Sequence, residues 1–517
     1  MEIKITKEFV KEVNERVFHY FREVSNIPRG SGNEKAIADY LIKFAQTNGF
    51  EFMRSDENEY VNGKKTNNVV IFKPATQGYG DCKPVIIQSH NDMVCEKIKT
   101  SKHDFEKDPI EIIEEIRDGI KIMKADGTTL GGDNGIGVAY TLAILERNDL
   151  AHPAINALFT SDEEAGMSGA IAVTSELLKG VENKCLINVD TEEEGVLFNG
   201  CAGGIDAIFR MPVTHELFPE DYVIVRIELS GLLGGHSGID IHRKRANAHI
   251  LIARTLRAIE DNCPMRIVVF KGGSMRNAIT REASVLIGIP CEKIDSVIKI
   301  VRECHEIFEH EYKYIEIDKS GKTNISLTAA TESCKFEKTL SRDSTSKLIN
   351  AILVIPNGVI EMLGREEDMD LVETSCNLGI VKQESNHIFL CSFVRSFIRT
   401  RKLYVIEQMK SLAKFINADF TTAGDSPNWE PEDKSELKKR FNKAYKTAFG
   451  VEPQVKSVHA GLECGYFAQK FPGMDIISCG PTLKWVHTPD EIMYTDTVIK
   501  VTELLLHVLY QMKEEVS

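Results

Sequence analysis

No Cys-x-x-Cys pair occurs in this 517-residue sequence, and its 12 cysteines are scattered from Cys82 to Cys479. That spread argues against a thiolate metal finger and against a disulfide scaffold, since a chain of this length can bury a core unaided. We read the cysteines as reduced thiols and expect a cytoplasmic protein. No apolar run approaches the ~20 residues needed to cross a bilayer, so no membrane partner is expected. Residues 1–26 alternate charged and apolar positions (EIKITKEFVKEVNERVFHYFREV) without the apolar stretch of a secretory signal, and predict an amphipathic helix instead. Positive charge is also short, with 63 Lys+Arg against 77 Asp+Glu and a net charge of −14. A protein that tracks nucleic-acid phosphates needs a positive field, so no nucleic-acid partner is expected either. Trp429 and Trp485, the two tryptophans, are too few for a base-stacking platform.

What is present is an ordinary globular composition, 42% hydrophobic and 27% charged, in a chain too long for one core. Two or three domains follow from that length. Between residues 68 and 189, β-rich runs at 68–72 (NVVIF), 84–88 (PVIIQ), 157–160 (ALFT) and 185–189 (CLINV) are separated by helical stretches such as 134–150. This alternation predicts an α/β fold with a helix-covered mixed sheet and a site at the carboxyl ends of its strands. From about residue 206 the texture changes. Strand-like runs at 222–229, 266–270, 283–289, 374–381 and 388–394 are interspersed with a basic helix ending near Arg257 and a long helix at 294–313. We read residues 206–400 as an α+β lid domain inserted into a discontinuous catalytic domain formed by 1–205 and 401–517. The second catalytic part resumes with helices at 402–416 and 436–449, the latter stopped by Gly450.

The chemistry-bearing residues stand where the predicted strands end. The run at 84–88 leads into Ser89, His90, Asn91 and Asp92. His90 and Asp92, two apart, can face one side, where a carboxylate can hold one imidazole nitrogen and aim the other at a metal. Alone, the pair is a weak signal and reads more readily as strand-end polarity. Asp133 lies among the glycines of TTLGGDNGIG before a helix, a common capping position. Asp162, Glu163 and Glu164 follow the run at 157–160 and could complement a helix start. Asp190 ends the run at 185–189, ahead of Thr191 and three glutamates. Together these acids and one histidine converge on one sheet edge, which is costly without a cation. A pair of divalent ions removes the cost. Histidine and carboxylate ligands without thiolates suit zinc, with manganese or cobalt as alternatives, and an Asp bridging ions about 3.5 to 4 Å apart is a co-catalytic hydrolase arrangement.

The strings QSHNDMV, TTLGGDNGIG, TSDEEAGMSGA, NVDTEEEG, GGHSG and GPTLKWVHTPDE resemble, in order and spacing, those of the co-catalytic zinc dipeptidase, aminoacylase and carboxypeptidase clan. NGCAGGID, GGSMRNAI and HAGLECG narrow the resemblance to the Xaa-His dipeptidases, the aminoacyl-histidine dipeptidases or bacterial carnosinases. The resemblance implies that His90, Asp133 and Asp190 bind one zinc and Asp133, Glu164 and His487 the other, with Asp92 orienting His90 and a cis peptide after Asp133. It implies that Glu163 is the general base for an attacking water and returns the proton to the leaving amine. His236 would donate to the oxyanion once the domains close, Asn277 and Arg395 would hold the substrate backbone and terminal carboxylate, and Gly461 would supply a backbone contact. Glu463, near these motifs, is a candidate for holding the substrate amine.

The implied activity is metal-dependent hydrolysis of small dipeptides, preferentially Xaa-His including β-alanyl-histidine, by a homodimer. An N-acyl-amino-acid deacylase or carboxypeptidase on the same site is the alternative. Other conspicuous residues take plainer readings. His459 is structural, Cys95, Cys201 and Cys464 pack in sheet cores, and the basic run 242–245 is a solvated helix start.

Overall fold

Strands Val85–His90, Ile155–Thr160 and Cys185–Asn188 are buried at every position, as expected of strands covered on both faces. In the computed structural model, which describes residues 5–55, 60, 61, 63–318, 320–364, 370–432 and 434–513, they lie at the centre of an eight-stranded mixed sheet. Its order is Glu51–Arg54, Val69–Lys73, Ile155–Thr160, Val85–His90, Cys185–Asn188, Asp475–Ser478, Val196–Cys201 and Gln454–Val458. Val85–His90 runs parallel to both neighbours, Asp475–Ser478 runs parallel to Cys185–Asn188, and antiparallel pairs flank this parallel centre. Helix Lys7–Ser25 buries Phe9, Val10, Val13, Val17, Phe21 and Val24 at helical spacing, and Thr6 caps it by accepting the Phe9 N–H at 3.2 Å. This is the expected amphipathic helix, although residues 1–4 lie outside the described residues. Helix Gly132–Glu146 is buried almost all round. At its end the Leu145 carbonyl accepts from Lys73 Nζ at 2.9 Å, and the Ile144 carbonyl accepts from Lys73 Nζ and from the Arg147 N–H, both at 3.3 Å.

This first unit comprises 1–200, 431–457 and 462–517; the second comprises 201–430 and 458–461. The second unit is α+β and contains an antiparallel sheet ordered Ser326–Glu332, Tyr222–Ser230, Ala283–Pro290, Arg266–Gly272, Val372–Gln383, His387–Ser396, Gly203–Pro212 and Asp419–Ala423, with Gly358–Met362 paired to Val372–Gln383. Its core gathers sheet residues such as Val225, Ile287 and Leu390 with Leu251, Val301, Leu348 and Met409 of four helices.

The expected crossings at 205/206 and 400/401 are corrected to 200/201 and 430/431, with a short further excursion at 458–461. The second crossing moves because helix Arg399–Phe415 contributes Val405, Ile406 and Met409 to the second core, and because Asp419–Ala423 pairs with Gly203–Pro212. Backbone pairing of that late strand is not visible in its own sequence.

Candidate active site

Register brings the strand ends of the first unit level. His90 pairs with Thr160, Gln88 with Asn188, and Asn188 with Ser478, so the segments that follow leave from one edge of the sheet. These segments carry Asp92, Glu163 and Glu164, Asp190, and the stretch leading to His487. Asp133 is delivered separately at the start of helix Gly132–Glu146, where its φ/ψ of −84/106 is non-helical and the Asp133–Asn134 peptide is cis.

The side chains meet in two linked groups. His90 Nε2 is 3.0 Å from Asp133 Oδ1 and 3.3 Å from Asp190 Oδ1. His487 Nε2 is 3.1 Å from Asp133 Oδ2 and 3.0 Å from Glu164 Oε1. Each imidazole nitrogen therefore faces two carboxylate oxygens, whereas one N–H makes only one well-aligned hydrogen bond. A cation at each point is a better match to the donors, and the two Asp133 oxygens serve one group each. His90, Asp133 and Glu164 also place one ligand atom apiece within 4.8 Å of one another, a possible metal site.

Asp92 lies beneath both groups. Its Oδ1 is 3.3 Å from His90 Nδ1, though without hydrogen-bond alignment, and it accepts the Glu163 N–H at 3.0 Å. Its Oδ2 accepts the Glu164 N–H at 3.3 Å and the Ser31 hydroxyl at 2.7 Å. One carboxylate thus faces the imidazole and fixes the backbone of both glutamates.

The electrostatics follow from crowding. Burial alone would lower His90, but Asp190, Asp133 and Asp92 outweigh it and raise the imidazole well above its ordinary value. Burial likewise opposes the shift of His487, which Asp133 and Glu164 carry up to about 11. Glu163 is raised well above the ordinary carboxyl range by burial and by Glu164, Asp190 and Glu463. Burial and Asp133 push Glu164 to about 7 and Asp190 to about 6. So many carboxylates displaced upward at one edge express the cost that bound cations would relieve.

The second unit holds a different constellation. Strand Gly235–His236 pairs with Ala278–Ile279, next to Asn277. The backbone N–H groups of Gly238 and Ile239 donate to His236 Nδ1 at 3.3 and 3.0 Å. That nitrogen must then carry the lone pair, which leaves the hydrogen on Nε2. Arg395 Nη2 stands 3.3 Å from that Nε2, so two donors converge, and an anionic oxygen is the group that satisfies both. The Arg395 guanidinium is buried, lies 4.5 Å over the Phe393 ring, and pairs with no carboxylate among the described residues. Burial and Arg395 push His236 down to about 4, so it is neutral at physiological pH.

Residues 86–511 match the model of peptidase family M20/M25/M40. The chain belongs to this peptidase family. This M20/M25/M40 peptidase, a peptide hydrolase, is 36% identical over 491 residues to the cytosol non-specific dipeptidase of Escherichia coli (strain K12), covering 95% of this chain and 96% of that protein. It is similar to the crystal structure of aminoacylhistidine dipeptidase from Vibrio alginolyticus, with 36% identity, TM-score 0.82 and 98% of each chain covered. A tripeptidase from Staphylococcus aureus shares the fold at 14% identity and TM-score 0.54, over 97% of this chain and 99% of that one.

Other expected residues in this peptidase stand as follows. Glu463 is fully buried in the first unit, where its Oε2 accepts from Gln88 Nε2 at 2.6 Å and Thr160 Oγ1 at 2.9 Å, while its Oε1 has no hydrogen-bond partner among the described residues. Burial pushes it up to about 8. Gly461 lies in the excursion 458–461 of the second unit. His459 is buried with Nε2 2.8 Å from the Ser375 hydroxyl. Cys201 and Cys464 are buried, but Cys95 is exposed, because it falls beyond the strand end in a loop; its core assignment is corrected. Arg245 of the basic run is half-buried rather than solvated and donates to the Gly234 carbonyl.

Three residues that sequence reasoning passed over belong to the site's framework. Asn134 Nδ2 donates to Asp190 Oδ1 at 2.6 Å, and Arg29 and Glu491 bond the turn before Asp133. Glu491 lies inside the string GPTLKWVHTPDE, which carried the resemblance, and that was its available signal; Arg29 lies in none of the strings.

Proposed function

We propose that this peptidase is a cytosolic, homodimeric metallo-dipeptidase that cleaves short peptides with a free amine, preferentially Xaa-His including β-alanyl-histidine. The observation that carries the metal reading is the facing of each imidazole Nε2 by two carboxylate oxygens, with Asp133 shared. The histidine preference draws on the likeness to the Vibrio alginolyticus aminoacylhistidine dipeptidase. No helix among the described residues is long and apolar enough to cross a membrane.

In this reading His90, Asp133 and Asp190 would hold one divalent ion, and Asp133, Glu164 and His487 the other, with zinc the first candidate for a histidine and carboxylate donor set and manganese or cobalt as alternatives. When bound, the ions polarise a water and the scissile carbonyl. Glu163, its backbone fixed by Asp92, takes a proton from the water and passes it to the leaving amine. His236 Nε2–H donates to the developing oxyanion. The Arg395 fork takes the terminal carboxylate, Asn277 and Gly461 hold the substrate backbone, and the free Glu463 oxygen takes the substrate ammonium.

Two measurements test the substrate assignment. Acetylating the amine of a Xaa-His dipeptide should lower kcat/KM by roughly 30-fold or more, the scale of an unpaired buried charge, and Glu463→Gln should raise KM for the free-amine substrate. Faster turnover of the acetylated compound would establish the deacylase alternative, and an unchanged KM in Glu463→Gln would remove its role. Separately, amidating the substrate's carboxyl should raise KM for wild type by roughly 30-fold or more and have little further effect in Arg395→Met. Equal sensitivity to amidation in both proteins would sink the Arg395 assignment.

A further inference from the structure

The turn that presents Asp133 is gripped from two directions by buried charges far apart in sequence. Glu491 Oε2 accepts the Leu130 and Gly131 N–H groups at 2.8 and 3.1 Å, and Oε1 accepts the Gly132 N–H at 2.9 Å. Arg29 Nη2 donates to the Gly131 carbonyl at 2.5 Å, while Nη1 donates to the carbonyls of Asp92 at 2.6 Å and Asn91 at 3.3 Å. Both side chains are almost fully buried. The glycines of LGGDNG make this grip possible. A Cβ on Gly131 or Gly135 would lie 2.7 or 2.5 Å from Arg29 Nη2, and one on Gly132 would lie 3.2 Å from Glu491 Oε1. Gly131 also needs its φ of +67°.

The two grips join different segments. Glu491 closes a turn with Thr488, through its own N–H to the Thr488 carbonyl at 3.1 Å, and so ties the His487 segment to the Asp133 turn. Arg29 ties the strand end carrying His90 and Asp92 to that same turn. We infer that Glu491 and Arg29 are positioning residues that set the Asp133 carboxylate between the two imidazoles, and thereby set how tightly the shared cation pair is held. This inference rests on the metal reading above. A carboxylate on three amides and a fork on three carbonyls constrain the turn in complementary senses, and outer partners of this kind typically contribute 10- to 100-fold in metal affinity.

The test is metal binding by the full chain, stripped with chelator and titrated with zinc by calorimetry. Glu491→Gln keeps the shape but turns an N–H donor toward amides that need an acceptor, so its affinity for at least one ion should fall roughly 10- to 100-fold. Arg29→Lys, which keeps the charge and loses the fork, should fall in the same direction. Glu491→Asp serves if Glu491→Gln does not fold. KM for the dipeptide should stay within about 3-fold once metal is saturating, because neither residue is assigned to substrate. Wild-type zinc affinity in a folded Glu491 variant, with only its melting temperature lowered, would overturn the inference and leave a purely structural role. Failure of wild type itself to bind zinc, manganese or cobalt would instead defeat the metal reading, so the two failures are distinguishable.

Discussion

Glu163→Gln should hydrolyse a free-amine Xaa-His dipeptide roughly 10²- to 10⁴-fold more slowly than wild type, the usual contribution of a positioned general base. The loss should appear in kcat, with KM and metal content per chain close to wild type. Metal content should hold because the bonds that fix this segment run from the backbone N–H groups of residues 163 and 164 to Asp92, and leave the Glu163 carboxyl uncommitted. The side chains of His90, Asp133, Glu164, Asp190 and His487 reach one another without it. Glutamine keeps the volume and cannot exchange a proton, so the ionisation that burial and neighbouring carboxylates impose on Glu163 should also leave the pH–rate profile. A kcat within about 3-fold of wild type, measured at equal metal content, would mean that another group takes the proton. A large loss accompanied by loss of metal would instead make Glu163 part of the ion-holding set.

The first unit was legible because its signals are local. Strand runs leading into His90, Glu163 and Asp190 put these residues where neighbouring strands stop. What stayed hidden depends on partners distant in the chain. Arg29 and Glu491 acquire meaning only when a turn from residues 130–132 is folded between them. Asp419–Ala423, a short polar strand, belongs to the second sheet through backbone pairing with Gly203–Pro212, and its residues carry no apolar period to announce it. The donor pair of His236 and Arg395 has the same character, since the tautomer of His236 is set by the N–H groups of Gly238 and Ile239 rather than by residue type.

Asp133→Asn should have a larger and differently shaped effect than any change to a ligand of one ion alone. Asp133 supplies Oδ1 to the His90 group at 3.0 Å and Oδ2 to the His487 group at 3.1 Å. Asparagine retains one oxygen and replaces the other with an N–H₂ donor, so one of the two groups loses an anionic ligand and gains a donor where a cation should sit. Metal analysis after desalting should therefore show loss of at least one ion per chain. Activity should fall on the order of 10³-fold, because several kcal/mol of charge stabilisation depend on the pair and 1.36 kcal/mol corresponds to tenfold. Asp190→Asn, which touches the His90 group alone, should lose less metal and respond to added metal more readily. The order matters more than either value, since a shared ligand must affect both groups and an unshared one must not. Two tightly held ions in Asp133→Asn, with activity within about tenfold of wild type, would show that the carboxylate between the imidazoles is not the bridge.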